Sequence, residues 1–283
     1  MAVGDMTNPT DPLIRIADAL ERIAPPALPP TDWSAAPAYV WRGDSVLAVT
    51  SLKAVPLDRL RGIDTQKASF AENVRRHAAS LPAHDALLWG SRGMGKSALV
   101  KAAVADIQAS GGSLALVQVG GEADALAGLP GLFMQLGDAD RRFIVFIDDI
   151  GFDGPEASSA ARSLRSLLEG GAMARPTNVR IAVTSNRRAI VERHMAEQDD
   201  PINPRDAVDD RLALADRFGL SLGFPACDQN AYLAIISGYA QAYGLAFDPE
   251  DALLWARQRG SRSGRIAWHY VTELAGRAGR SFD

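Results

Sequence analysis

Residues Gly90 to Ser97 read G-S-R-G-M-G-K-S, directly after the apolar run Ala86-Leu87-Leu88-Trp89 and directly before a helical stretch that starts near Ala98. No other segment restricts the fold as tightly. An apolar run, a glycine-rich turn and a helix in immediate succession form a strand–turn–helix unit, and the turn needs backbone conformations that glycine adopts most freely. In such a turn several N–H groups face one centre, and the helix that follows adds the positive end of its dipole, a combination suited to phosphate oxygens. Lys96 then supplies a cation for the β- and γ-phosphates of a nucleoside triphosphate, and the hydroxyl of Ser97 is placed to hold Mg²⁺. Gly90, Ser91, Arg92, Gly93, Met94, Gly95, Lys96, Ser97 and Ala98 are therefore the candidate phosphate-binding residues.

The rest of the chain supports an α/β reading. Apolar runs at 86–89, 114–119, 143–147, 179–184 and 220–224 alternate with helical stretches near 97–109, 123–136, 156–169 and 186–196. A further helix leads into Arg217. The runs lack period-two alternation, which predicts strands covered on both faces and a mostly parallel five-stranded sheet flanked by helices. After Pro225 only helical patterns occur, about 228–243, 249–259 and 263–279, and these read as a small helical second domain.

Before the glycine turn, residues 1–12 are polar and read as disordered, and 13–23 has helical spacing. A-P-P-A-L-P-P follows as an extended linker. Tyr39-Val-Trp and Val46-Leu-Ala-Val flank Arg42-Gly-Asp-Ser as a short hairpin, and a helix is expected from about Thr65 to Ser80. The expected domains are 1–56 (N-terminal extension), 57–225 (nucleotide-binding α/β domain) and 226–283 (helical domain).

A second strand carries chemistry. Phe143-Ile-Val-Phe-Ile-Asp148-Asp149 is an apolar run ending in two acids, the Walker B pattern. A parallel strand delivers its last residues to the sheet edge where ligands bind. Asp148 is the candidate Mg²⁺ ligand, with Ser97, and Asp149 the candidate carboxylate that aligns water or takes its proton. Ile181-Ala-Val-Thr-Ser-Asn186 ends a third strand in a polar residue positioned for the γ-phosphate or the attacking water.

The order and spacing of these motifs resemble the AAA+ ATPase superfamily over roughly residues 57–280. In that resemblance Asn186 takes the sensor-1 position. Leu214-Ala-Asp-Arg217-Phe218 resembles the arginine-finger motif, and Ser263-Gly-Arg265-Ile-Ala the sensor-2 arginine of a helical lid. Gly62-Ile63 resembles the segment that packs on adenine. More narrowly, L-R-G-I-D-T-Q-K (60–67), S-L-L-E-G-G (166–171), T-S-N-R-R (184–188) and D-R-F-G-L-S-L-G-F (216–224) resemble an uncharacterised family of bacterial AAA+ ATPases classed as a domain of unknown function. The resemblance implies ATP and Mg²⁺ as cofactors and a homo-oligomer, with Arg217 completing a neighbour's site. One departure matters: Asp149 stands where most AAA+ enzymes carry Glu, one methylene longer.

Bulk properties narrow the partners. A net charge of −4 gives no global basic footprint for nucleic acid, although Arg187-Arg188 and Arg257, Arg259, Arg262 and Arg265 are local basic clusters. The acids between Asp199 and Asp210 read as a solvated loop and a helix start. One cysteine, Cys227, excludes an internal disulfide, no apolar run nears the ~20 residues of a membrane span, and the N-terminus has no secretion pattern, so a cytoplasmic location is expected. The four histidines have no ligand spacing. No N-K-x-D string reads guanine, and Gly120–Leu126 lacks the aromatic of a peptide-threading loop. Two readings stay open: an oligomeric ATPase that remodels or loads an unknown protein or DNA client, and a nucleotide-gated switch or loader with little turnover.

Overall fold

A computed structural model describes residues 12–23, 30–120, 123–150, 168, 175–186 and 217–282. The expected helices near 156–169 (Leu168 apart) and 186–196, the one leading into Arg217, the Arg187-Arg188 pair and the acids of 199–210 lie outside them. The chain forms two compact units, Met1–Asp32 and Trp33–Asp283. The first contains helix α1 (Pro12–Ile23). Among the described residues no helix is long and apolar enough to cross a membrane.

The second unit is an α/β fold. Its strands are β1 (Ala38–Trp41), β2 (Val46–Val49), β3 (Ala86–Gly90), β4 (Leu114–Val119), β5 (Arg142–Ile147), β6 (Val179–Ser185) and β7 (Leu220–Phe224). They form one sheet in the order β2-β1-β4-β5-β6-β3-β7, parallel except where β2 runs antiparallel to β1. The five strands expected from the apolar runs are its continuous part. Among the described residues the sheet nevertheless has seven strands, not five, because the hairpin at 38–49 joins it through parallel pairing of Ala38–Trp41 with Leu116–Val119. Arg141 helps to anchor the segment before β1 by donating to the carbonyls of Trp33 and Ala36. Strands of four residues carry too little pattern to be assigned to a sheet from sequence.

Both faces of the sheet are buried. Leu88, Leu114, Leu116, Ile144, Phe146 and Ala182 point into a core shared with α2 (Asp64–Ala78), α3 (Lys96–Ala109) and the C-terminal helices. Leu87, Ala115, Val117, Val145, Ile181 and Val183 point the other way, into a core with α5 (Leu129–Gly137) and the aromatic residues Trp33, Tyr39 and Trp41. This is why the runs show no polar alternation. The helix expected over 123–136 is instead two, α4 (Ala123–Ala127) and α5, separated at Gly128. A Cβ there would lie 2.6 Å from the carbonyl oxygen of Gly43, so only glycine admits the hairpin at this point.

Three helices close the chain: α6 (Gln229–Ala242), α7 (Pro249–Gln258) and α8 (Gly264–Arg277), each with an aspartate or serine N-cap accepting a backbone N–H. Tyr232, Ile235, Tyr239, Tyr270 and Val271 join them to the core that contains α3 and Met94. The glycine turn between β3 and α3 thus lies at the carboxyl edge of the sheet, with α6 and α8 beside it.

Candidate functional site

The glycine turn is shaped by three left-handed glycines, Gly90 (φ +121°), Gly93 (φ +76°) and Gly95 (φ +91°). Gly90 admits no other residue, since a Cβ would lie 2.2 Å from the carbonyl oxygen of Phe224. Ser91 N–H donates to that same oxygen at 2.8 Å, tying the turn to β7. Gly95 forms the N-cap of α3 without a side-chain cap, so the first-turn amides of a fourteen-residue helix face the turn.

Lys96 is 5% exposed, and its ammonium donates to the carbonyls of Gly90 at 2.9 Å and Ser91 at 2.8 Å. Burial lowers its pKa to about 8; Asp149 and Asp148 act against this, and Arg92 and Arg265 add to it. Ser97 donates its hydroxyl to Asp148 Oδ1 at 2.6 Å. The glycine turn and the acid-ended strand therefore meet, although 51 residues separate the two side chains.

Asp149 follows in a left-handed conformation, φ +55°. Its carboxylate accepts a hydrogen bond from Asn186 Nδ2, and Arg92 Nη2 lies 3.7 Å from its other oxygen. Strand β6 thus brings Asn186 to Asp149, and the turn brings Arg92.

These groups line one cleft of about 380 Å³, large enough for a small cofactor. Of the residues expected from sequence, Ile63, Arg92, Gly93, Met94, Gly95, Lys96, Ser97, Ala98, Asp148, Asp149, Asn186 and Arg265 line it. Gly90 and Ser91 are not in the lining but turn their carbonyls to the Lys96 ammonium. Met94 is mostly core, 6% exposed. Gly62 (φ +75°) is not in the lining; a Cβ there would press on Ile235, and it sets the bend between Arg61 and Ile63, which do line the cleft. Arg217 is also absent from the lining. It lies just ahead of β7, whose first residue bonds back to Asp85, before β3; this is the edge of the sheet away from the glycine turn.

Sequence reasoning missed Thr184 on β6 and an apolar wall made of Val55, Leu60, Ile235, Tyr239 and Trp268. Thr184 had a signal: it precedes Asn186 by two residues and so shares its face at the strand end. The apolar residues had none, since an apolar helix face reads the same whether it meets core or ligand.

Over residues 34–278 the chain matches a family described as a protein of unknown function, DUF815. The chain belongs to that family. No curated protein matches it. Its fold is similar to that of the Thermotoga maritima RuvB Holliday junction branch migration motor, with 16% identity and a TM-score of 0.51, over 81% of this chain and 68% of that one. It is similar too to the Aeropyrum pernix Orc1 protein in complex with DNA, with 19% identity and a TM-score of 0.54, over 80% of this chain and 62% of that one. At these identities the likeness is one of fold. This DUF815 member shares the α/β fold of those two proteins, and the site described above sits on it.

Proposed function

We propose that the chain binds ATP with Mg²⁺ and hydrolyses it to ADP and phosphate as a homo-oligomer, converting the change at the cleft into movement of the 226–283 helices against a partner. One observation carries this reading. Ser97 and Asp148 share a hydrogen bond at 2.6 Å inside a cleft that also contains the Lys96 ammonium and the glycine turn. A hydroxyl and a carboxylate so close form a hard-oxygen donor pair that fits Mg²⁺.

Bound there, Mg²⁺ would neutralise charge on the phosphate oxygens. Lys96 and the amides of Gly93–Ser97 would hold the β- and γ-phosphates, and Leu60, Ile63, Tyr239 and Trp268 would take the base. Asp149 would align a water and accept its proton, with Asn186 fixing the carboxylate. Arg265 lines the same cleft from α8 and suits the γ-phosphate. Arg217, absent from its own cleft, suits the cleft of a neighbouring subunit. Calorimetry with ATP and Mg²⁺, followed by phosphate release, tests the reading. Saturable binding with turnover is expected; no heat with any adenine nucleotide overturns it.

The second reading, a nucleotide-gated switch or loader with little turnover, is favoured by the grip on Asp149. Both carboxylate oxygens are engaged, one by Asn186 and the other facing Arg92, and the side chain is short. Light scattering with ATP and with a slowly hydrolysed analogue separates the two: assembly without phosphate release selects the switch. Because RuvB and Orc1 are described with Holliday junctions and DNA, and Arg257, Arg259 and Arg262 are exposed, DNA is the first client to titrate.

A further inference from the structure

Thr184 is 1% exposed at the end of β6 and uses its hydroxyl both as donor and as acceptor. Oγ1 accepts the backbone N–H of Asp149 at 2.8 Å and donates to Asp148 Oδ1 at 2.6 Å. Its own carbonyl accepts the N–H of Ile150 at 2.9 Å. One residue therefore holds three successive positions of the chain as it leaves β5.

The middle position needs holding. Asp149 has a left-handed backbone, uncommon for a residue with a side chain and maintained only where neighbouring contacts enforce it. Asp148 Oδ1 is the same oxygen that accepts the Ser97 hydroxyl. A hydroxyl has a single proton, so donating to Asp148 leaves Thr184 only its lone pairs for the Asp149 amide. The pattern is complete in one direction. Valine has the same shape but satisfies neither group, and would take from the part-buried Asp149 N–H the hydroxyl it donates to.

We infer that Thr184 is the positioning residue of the two acids: its hydroxyl sets the orientation of the Asp148 carboxylate and, through the Asp149 amide, the direction in which the Asp149 carboxylate points. This rests on the ATP-hydrolysis reading above and deepens it. The end of β6 becomes a single control strip, with Thr184 holding the backbone of Asp149 and Asn186 its carboxylate. A shift of this strand end turns both acids together.

The test uses the full chain with Thr184→Val and Thr184→Ser. A fluorescent ATP analogue is bound with and without Mg²⁺, phosphate release gives kcat and KM, and thermal melting reports folding. For Thr184→Val, binding without Mg²⁺ should stay within about twofold, while the gain in affinity from Mg²⁺ falls about fivefold, KM for Mg²⁺-ATP rises by no more than that factor, and kcat falls at least about tenfold. Thr184→Ser should recover kcat to within about threefold, because serine retains the hydroxyl. If the valine variant does not fold, Thr184→Ala replaces it with the same expectations.

A folded valine or alanine variant with wild-type kcat and Mg²⁺ gain overturns the inference, as does a folded serine variant as impaired as valine. In either case active wild-type protein leaves the ATPase reading intact. Wild-type protein that neither binds nor turns over Mg²⁺-ATP overturns both.

Discussion

The backbone N–H of Arg265 donates to the carbonyl oxygen of Gly93 at 3.1 Å, so the last helix of the chain is hydrogen-bonded directly to the glycine turn. No side chain separates them. A Cβ on Gly93 would lie 2.9 Å from Ser263 Oγ, and one on Gly264 would lie 3.2 Å from the Gly93 oxygen. Ser263 Oγ also caps α8 by accepting the Ile266 N–H at 3.3 Å. Movement in the turn thus reaches the start of α8, and through it the Arg265 side chain, without an intermediary.

Gly93→Ala should break this coupling. The left-handed backbone alone costs about 1–2 kcal/mol for alanine, and the methyl pushes Ser263 away from the turn. Nucleotide affinity is expected to fall about tenfold or more, read by calorimetry, with a lowered melting temperature. Gly131→Ala is the control. Nothing lies within 4 Å of a Cβ at that helical position, so it should be neutral or stabilise by about 0.5–1 kcal/mol.

Lys96 should make the proposed nucleotide binding pH-dependent. Burial holds its pKa at about 8, and phosphate beside it would raise that value again. At pH 8 binding should therefore take up as much as about half a proton, and near pH 6 almost none. Affinity should fall as pH rises beyond about 8. Titration calorimetry in buffers of different ionisation heat measures the uptake, and Lys96→Met should abolish it and weaken binding.

His77 should govern acid stability. It is 1% exposed and bonds through Nε2 to the carbonyl of Phe143 at 3.1 Å, while Nδ1 has no hydrogen-bond partner among the described residues. Burial, with Arg180 nearby, lowers its pKa from 6.5 to about 4. The unfolded chain then binds this proton first, so stability is intact above pH 6.5 and falls between there and pH 4, by about 3 kcal/mol in all. His77→Gln keeps a donor for Phe143 without a titrating ring. Denaturant melts should show a flatter acid slope for that variant, whatever its stability at neutral pH.

Arg217 tests whether sites are shared between subunits. Arg217→Ala should leave nucleotide affinity within about twofold and reduce hydrolysis by ~10³ or more. Mixing it with Asp149→Asn protein, inactive at its own cleft but carrying the arginine, should restore part of the activity. Equal loss of binding and turnover in the single variant, or no recovery on mixing, would place Arg217 outside the reaction.

Much of this site could be read along the chain, for identifiable reasons. Gly90–Ser97 is contiguous, and its requirement for left-handed backbone is written in glycines. Asp148 and Asp149 were found because a buried strand shows as an apolar run and its last residues project from the sheet edge. Thr184 was passed over because a hydroxyl near a strand end is a common feature, and its partners lie 35 and 36 residues away. Ile235, Tyr239 and Trp268 were invisible for a different reason: an apolar side chain carries no mark of whether it meets another or a ligand.

The chain alone determined the strand–turn–helix unit, the two-face burial of the sheet and the acids at the end of β5, because these depend on local period and backbone freedom. Tertiary structure decided that the 38–49 hairpin extends the sheet, that Arg265 N–H meets Gly93, and that one threonine holds both acids. Such contacts depend on which strands become neighbours. That order is settled by how the whole set of apolar faces packs, which no short stretch of residues specifies.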